Sequence, residues 1–168
     1  MKVIRSKLEN SLSKIPVGVN LGANKDSKNR IDDYSKVLLE CGDFVDFATL
    51  NISSPNTSKL RELQEPDNLK LLLLQLEGVK KKLKKNLPIF IKISPDLKNQ
   101  ALEDLINVVT ESKVNGIIAT NTTISKINLT SNRSNEIGGL SGEPLKDIST
   151  KMIAKISYLT DGSLPIIG

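Results

Sequence analysis

Two side-chain amides and three hydroxyls fall within the seven residues Asn51-Ile52-Ser53-Ser54-Pro55-Asn56-Thr57. All are neutral and all form hydrogen bonds, a set suited to surrounding a small, flat ligand with several donors and acceptors. Nothing in the run is a strong base, so removing a proton from carbon would need a hydroxyl activated by its placement. The same residues also suit a helix start, with Ser54 as N-cap and Pro55 at the first helical position. An apolar run over 44–50 precedes them and reads as a β-strand, which puts the polar groups in the turn where that strand ends. Loops held on a rigid scaffold are where binding and catalytic groups concentrate.

The elements that must hold this turn repeat along the chain. Residues 17–20, 44–50, 89–93, 116–120 and 165–168 read as strands buried on both faces. Amphipathic helices fall between them: one marked by Ile31, Tyr34, Leu38 and Cys41, and one by Leu69, Leu72, Leu73, Leu76, Val79 and Leu83 after a Pro66-Asp67 start. A third follows Asp96, with Leu102, Leu105, Ile106 and Val109 on its stripe, and a fourth carries Leu145, Ile148, Met152, Ile156 and Leu159. Alternating strands and helices imply a parallel α/β sheet.

An open doubly wound sheet and a (β/α)8 barrel both accept this repeat. No G-x-G-x-x-G or G-x-x-x-x-G-K-[ST] follows a strand, which removes the usual dinucleotide and P-loop signatures of the open sheet. Instead the strands end in polar residues: Asn20, Asn51, Lys92 and Thr120-Asn121-Thr122. Barrels build active sites from groups at the C-terminal ends of successive strands. The expected fold is therefore a partial (β/α)8 TIM barrel of about five parallel strands, one domain over 1–168 that begins and ends abruptly.

Composition narrows the function. The charge of +5 is concentrated in Lys80-Lys81-Lys82 and Lys84-Lys85, where cations favour a helix C-terminus. With 3% aromatic residues and no Trp, stacking platforms for nucleic acid are missing, and no nucleic-acid partner is expected. No His is present, which leaves Ser, Lys, Asp, Glu, Tyr or Cys for acid-base work and argues against a metal site. The single Cys41 lies in a helical pattern and suits packing in a reducing compartment. No long apolar stretch or signal-like start marks a membrane span, so the 168 residues are expected to be soluble.

Two further features bear on a ligand. Lys92 interrupts the apolar strand Ile89 to Ile93, where it must meet an anion or, on an edge strand, face water. Gly138-Gly139-Leu140-Ser141-Gly142 precedes a helix, and such a loop presents backbone N–H groups to phosphate.

Taken in order, Gly18-Val19-Asn20-Leu21-Gly22, Asn51 to Thr57, Lys92-Ile93-Ser94-Pro95-Asp96-Leu97, Thr120-Asn121-Thr122-Thr123, Gly138 to Gly142 and Pro165-Ile166-Ile167-Gly168 resemble the class 2, quinone-dependent dihydroorotate dehydrogenases of pyrimidine synthesis. The resemblance implies a barrel carrying FMN at its C-terminal face, with dihydroorotate oxidised to orotate and electrons passed to a membrane quinone. It makes Ser54 the catalytic base, where class 1 relatives place Cys and use soluble acceptors. It assigns Asn51, Ser54, Pro55, Asn56, Asn121 and Thr122 to substrate, with Thr57 or a water relaying the proton. Asn20, Asn51, Lys92 and Thr120 would contact FMN, and Gly142 and Gly168 its phosphate. Residues 124–137 resemble the family's active-site lid.

The resemblance also implies segments outside this chain: N-terminal quinone-tunnel helices, the first barrel strands, and a closing strand after Gly168. An internal piece of the enzyme is thus expected, inactive alone unless those parts are supplied. The full enzyme would be peripheral on the cytoplasmic face of a bacterial inner membrane, or on the mitochondrial inner membrane in a eukaryote. The alternative is a non-catalytic remnant that self-associates through open barrel edges.

Overall fold

The computed structural model describes residues 2–11, 13–24, 26–55, 60–126 and 129–168. Five strands, β1 (Gly18–Leu21), β2 (Phe47–Asn51), β3 (Ile89–Lys92), β4 (Gly116–Ile118) and β5 (Ile166–Ile167), form one sheet in sequence order. Every neighbouring pair is parallel. Helices α2 (Arg30–Cys41), α3 (Pro66–Lys80), α4 (Asn99–Thr110) and α5 (Glu143–Leu159) connect them, and α1 (Lys2–Glu9) precedes the sheet. The α/β barrel-type repeat expected from the sequence is what the chain adopts.

Local chemistry explains where the helices start and stop. Asn29 caps α2 by accepting the Asp32 N–H, with Asp32 and Asp33 in the positively polarised first turn. Pro66 opens α3 after an extended Glu65, and Lys80 and Lys81 close it beside the last carbonyls. Gly142, at φ 78°, takes the left-handed backbone conformation before α5.

Alternation along the strands separates two faces. Leu21, Ala48, Leu50, Ile89, Ile91, Ile93, Ile117 and Ala119 are buried in a common core with Tyr34 and Leu38 of α2, Leu69, Leu72 and Leu76 of α3, and Leu102, Leu105 and Ile106 of α4. Each leucine or isoleucine of this layer contributes about 1.5–3 kcal/mol of burial, and the layer holds the sheet rigid. The opposite face carries Asn20, Phe47, Thr49, Asn51, Phe90, Lys92 and Ile118. Phe47 and Phe90 meet edge to face there, 6.0 Å between centroids. Gly18 and Gly116 lie beside these rings: a Cβ at Gly18 would collide with Phe47, and one at Gly116 would collide with the Pro165 carbonyl and press on Phe90.

Several sequence expectations change. The strands are not buried on both faces: Gly18 and Asn20 are exposed and Lys92 is half-buried, so only the helix-facing side is fully covered. Phe44 belongs to a 3-10 turn (Gly42–Phe44), and the strand begins at Phe47 and includes Asn51. Pro55 lies in a turn, and residues 56–59 after it lie outside the described residues; prolines stand in the first turns of α3 (Pro66) and α5 (Pro144). Lys92 is not on an edge, since β3 pairs with both β2 and β4. Cys41 is buried against the core, as its helical position suggests. Among the described residues no helix is long and apolar enough to cross a membrane.

Candidate active site

Parallel register carries the polar strand ends to one rim. Asn51 lies opposite Lys92, and Lys92 opposite Ile118, which places Thr120, Asn121 and Thr122 just beyond the same level. Behind them, the Tyr34 hydroxyl donates to the Asn51 carbonyl at 2.7 Å and fixes the end of β2 from the helix layer. Burial pushes the Tyr34 phenol well above its ordinary range, so it stays protonated and remains a donor.

The turn after β2 is built around one amide oxygen. Asn51 Oδ1 accepts from the Ser53 N–H (3.4 Å), the Ser53 hydroxyl (3.1 Å) and Asn121 Nδ2 (3.3 Å). Asn121 Nδ2 also donates to Ser53 Oγ at 3.0 Å. On its other side, Asn121 Oδ1 accepts the Thr122 N–H at 2.8 Å and the Thr122 hydroxyl at 3.5 Å. Ser53 is fully buried and its hydroxyl is engaged by both asparagines, which makes it the brace of the turn. Ser54, the next residue, is half-buried.

Pro55 and Thr122 meet beneath a third segment. A Cβ on Gly139 would overlap the Thr122 hydroxyl and lie 3.4 Å from Pro55 Cγ, so glycine lets the 138–140 backbone settle on both. That backbone is tied down where Thr123 and Leu140 exchange N–H to carbonyl bonds of 3.1 and 2.7 Å. Lys126 Nζ donates to the carbonyls of Glu136 and Gly138, both at 3.1 Å.

The structure therefore gathers Asn51, Ser54, Pro55, Asn121 and Thr122, with Thr120 attached through its hydroxyl to the Asn121 carbonyl at 2.9 Å. Lys92 adjoins Asn51 by register, and its side chain makes no hydrogen bond or ion pair among the described residues. Asn20, Gly142 and Gly168 are exposed and lie outside this hydrogen-bonded cluster. Asn56 and Thr57 lie outside the described residues, as do 127–128 of the segment expected to form the lid.

Sequence reasoning passed over the residues that hold the cluster together. Arg61 Nε donates to the Ser53 carbonyl at 3.2 Å, and Arg61 Nη1 pairs with Asp96 Oδ2 at 3.0 Å. The Gln64 amide oxygen accepts the Ser94 N–H at 3.0 Å. The Ser94-Pro95-Asp96 sequence held one signal: the Ser94 hydroxyl accepts the Asp96 N–H at 3.1 Å, a serine turn that such a triplet favours.

The family model for dihydroorotate dehydrogenase matches residues 1–168. The chain belongs to the dihydroorotate dehydrogenase family. A dihydroorotate dehydrogenase (quinone) of Cereibacter sphaeroides is 47% identical over 154 residues, covering 92% of this chain and 44% of that protein. The mitochondrial dihydroorotate dehydrogenase (quinone) of Cyclocybe aegerita is 44% identical over 159 residues, covering 90% of this chain and 48% of its own. Two solved structures from Eimeria tenella superpose closely. The DHODH complex with ferulenol gives a TM-score of 0.87 at 34% identity, over 98% of this chain and 49% of that one. The ligand-free form gives 0.86 at 36%, over 99% and 51%. The chain thus spans about half the length of the relatives it matches. The family recognised from the motifs and the barrel-type fold are both borne out.

Proposed function

We propose that this rim takes dihydroorotate and that the chain supplies much of the substrate side of an FMN-dependent, quinone-linked dihydroorotate dehydrogenase. The observation that carries the reading is the convergence of Asn51, Asn121 and the Ser53-Ser54 turn, drawn from distant strand ends and braced from behind by Tyr34. Dihydroorotate is a small six-membered ring with two amide-type edges and a carboxylate, and it becomes planar on oxidation to orotate. Asn51 Nδ2 makes no hydrogen bond among the described residues and is available as a donor to such an edge.

The residues present fit a flavin. Lys92 is a half-buried cation with no anionic partner among the described residues, on the inner face beside Asn51. Gly142, left-handed at the start of α5, allows backbone N–H groups to approach a phosphate, and Gly168 follows β5 on the same sheet. When bound, the flavin supplies the acceptor for the hydride leaving C6 of the substrate. Ser54 removes the proton from C5, the neighbouring carbon, so that the C5–C6 double bond of orotate forms. A serine hydroxyl does this only when positioned and given a path for its proton, and the order of the turn around Ser53 supplies the positioning. Asn51, Asn121 and Thr122 orient the ring, and the 138–140 backbone over Pro55 and Thr122 limits access of water.

Quinone as electron acceptor comes to this chain from the names of its relatives, and attachment of the whole enzyme to a membrane surface is our inference from a lipid-soluble acceptor. We further infer that enclosing the flavin takes more chain than these 168 residues, because Asn20, Gly142 and Gly168 are exposed. Among the described residues each edge strand, β1 and β5, has a single neighbour, which also favours the second reading: pairing of these edges with another chain or another copy. The test is anaerobic mixing of dihydroorotate with the chain joined to the flanking segments of a quinone-named relative and loaded with FMN. Bleaching of the flavin band, followed by reoxidation with a soluble quinone and not with fumarate, is the expected result. A flavin that binds yet stays oxidised overturns the reading.

A further inference from the structure

We propose that Asp96 is a positioning residue that joins the base of the 123–140 loop to the serine turn through Arg61, so that the two walls of the site order as one unit. Its carboxylate accepts from the Thr123 hydroxyl, from the Ile124 N–H at 3.1 Å, from Arg61 Nη1 at 3.0 Å and from the Ser94 hydroxyl at 3.4 Å. Arg61 in turn donates through Nε to the Ser53 carbonyl at 3.2 Å. A continuous path of charge-assisted bonds therefore runs from Ile124, where the loop leaves the sheet, to Ser53, the residue before the proposed base.

An isolated surface ion pair would couple little. This one differs in two respects. The Arg61 and Asp96 side chains are 26% and 19% exposed, so water competes weakly for their donors and acceptors. Each group also serves partners on both sides: the Asp96 carboxylate holds loop and turn donors, and the planar Arg61 fork spans a carboxylate and a backbone carbonyl. A second bridge, Gln64 to the Ser94 N–H, keeps the 60–64 and 94–96 turns in register beneath it. Loosening the loop at Thr123 thus releases Asp96, and a released Asp96 no longer holds Arg61 against the Ser53 carbonyl. For its use in catalysis the proposal rests on the dihydroorotate reading; the coupling itself does not.

Hydrogen exchange of the ligand-free 168-residue chain tests it. In Thr123→Val, amides of 52–54 and 60–64 should exchange on the order of tenfold faster although no contact of theirs is removed, and in Arg61→Met the same should hold for 124–126 and 138–140. Leu72 and Leu76 in α3 should keep their wild-type rates, separating this effect from general destabilisation. In an Asp96→Asn background, where an NH2 group replaces one acceptor oxygen, each of the two substitutions should act only on its own side. Acceleration confined to the substituted side in both single variants overturns the proposal, and those two variants decide the matter even if Asp96→Asn fails to fold. In the FMN-loaded chain joined to a relative's flanking segments, orotate should slow exchange on both sides. Reciprocal coupling without any protection by orotate would overturn the ligand reading and leave the role of Asp96 standing.

Discussion

Two stretches of this chain are conspicuously polar, and the fold uses them in opposite ways. The turn after β2 packs its groups against partners from far along the chain: Asn51 and Ser53 meet Asn121, and Ser53 is held by Arg61. The lysine run leaves α3 at the other end of the sheet, where β3 begins, and most of it points to solvent. Lys81, Lys82, Lys84 and Lys85 are exposed, and their side chains make no hydrogen bond or ion pair among the described residues. Only Lys80 is half-buried, and burial pushes its ammonium below the ordinary range. The anchor in that region is a backbone group, the Lys84 N–H donating to Asp43 at 2.7 Å. Density of polar residues in a sequence therefore marks a site only where the fold makes them converge.

The sharpest way to break this contrast is Ser54→Ala. In the chain joined to a relative's flanking segments, flavin content should be unchanged while reduction by dihydroorotate slows about 10²-fold or more, read by stopped-flow absorbance. Equal rates would reduce Ser54 to a turn residue. Asn121→Ala should come next, because it leaves the buried Ser53 hydroxyl and the Asn51 amide oxygen each short of a partner. A loss of about 1–3 kcal/mol in denaturant unfolding is expected. A stability within error of wild type would show that the two asparagines do not brace the turn. Lys92→Met should lower retained flavin several-fold on gel filtration, with the fold intact by circular dichroism, since an apolar side chain of similar length relieves any desolvation cost. Unchanged flavin content would remove Lys92 from the site.

Much of this organisation was legible in the sequence, and what escaped has physical causes. The leucine spacing of α3 and the Pro66 start give that helix directly, since one apolar face must be buried. The polar strand ends point to one rim because parallel strands all end there. The early part of the second strand was misread because Phe44 and Val45 are apolar. Gly42 and Asp43 instead continue the α2 turn, with the Asp43 carboxylate occupied by the Lys84 N–H. α1 gave no clear signal, as its Val3 and Ile4 are exposed and bury no stripe. The Asp96 hub could not be seen at all: its partners Arg61, Thr123 and Ile124 come from other elements, and only the folded chain brings them to one carboxylate.

A smaller effect tests the loop after β1, which carries no part of the central cluster. The Asp33 carboxyl accepts the Asn24 N–H at 3.0 Å, and that backbone bond holds its pKa below the ordinary carboxylate value. A lowered pKa means the tether contributes fully above the unfolded-state pKa and is lost as pH falls through the folded one. Exchange at Asn24 should therefore rise only in that acidic window, and in Asp33→Asn it should be fast and independent of pH in the same range after correction for intrinsic rates. Acid sensitivity surviving in the variant would assign it elsewhere.

The contrast between the two polar stretches is tested most directly by the orotate-induced change in flavin absorbance. We predict a saturable change in the FMN-loaded chain joined to its relative's flanking segments, the same change in Lys81→Ser/Lys84→Ser, and none in Asn121→Ala. A change that persists in Asn121→Ala, or that disappears with the lysines, would contradict the assignment of the substrate to the rim formed by Asn51, Ser54 and Asn121.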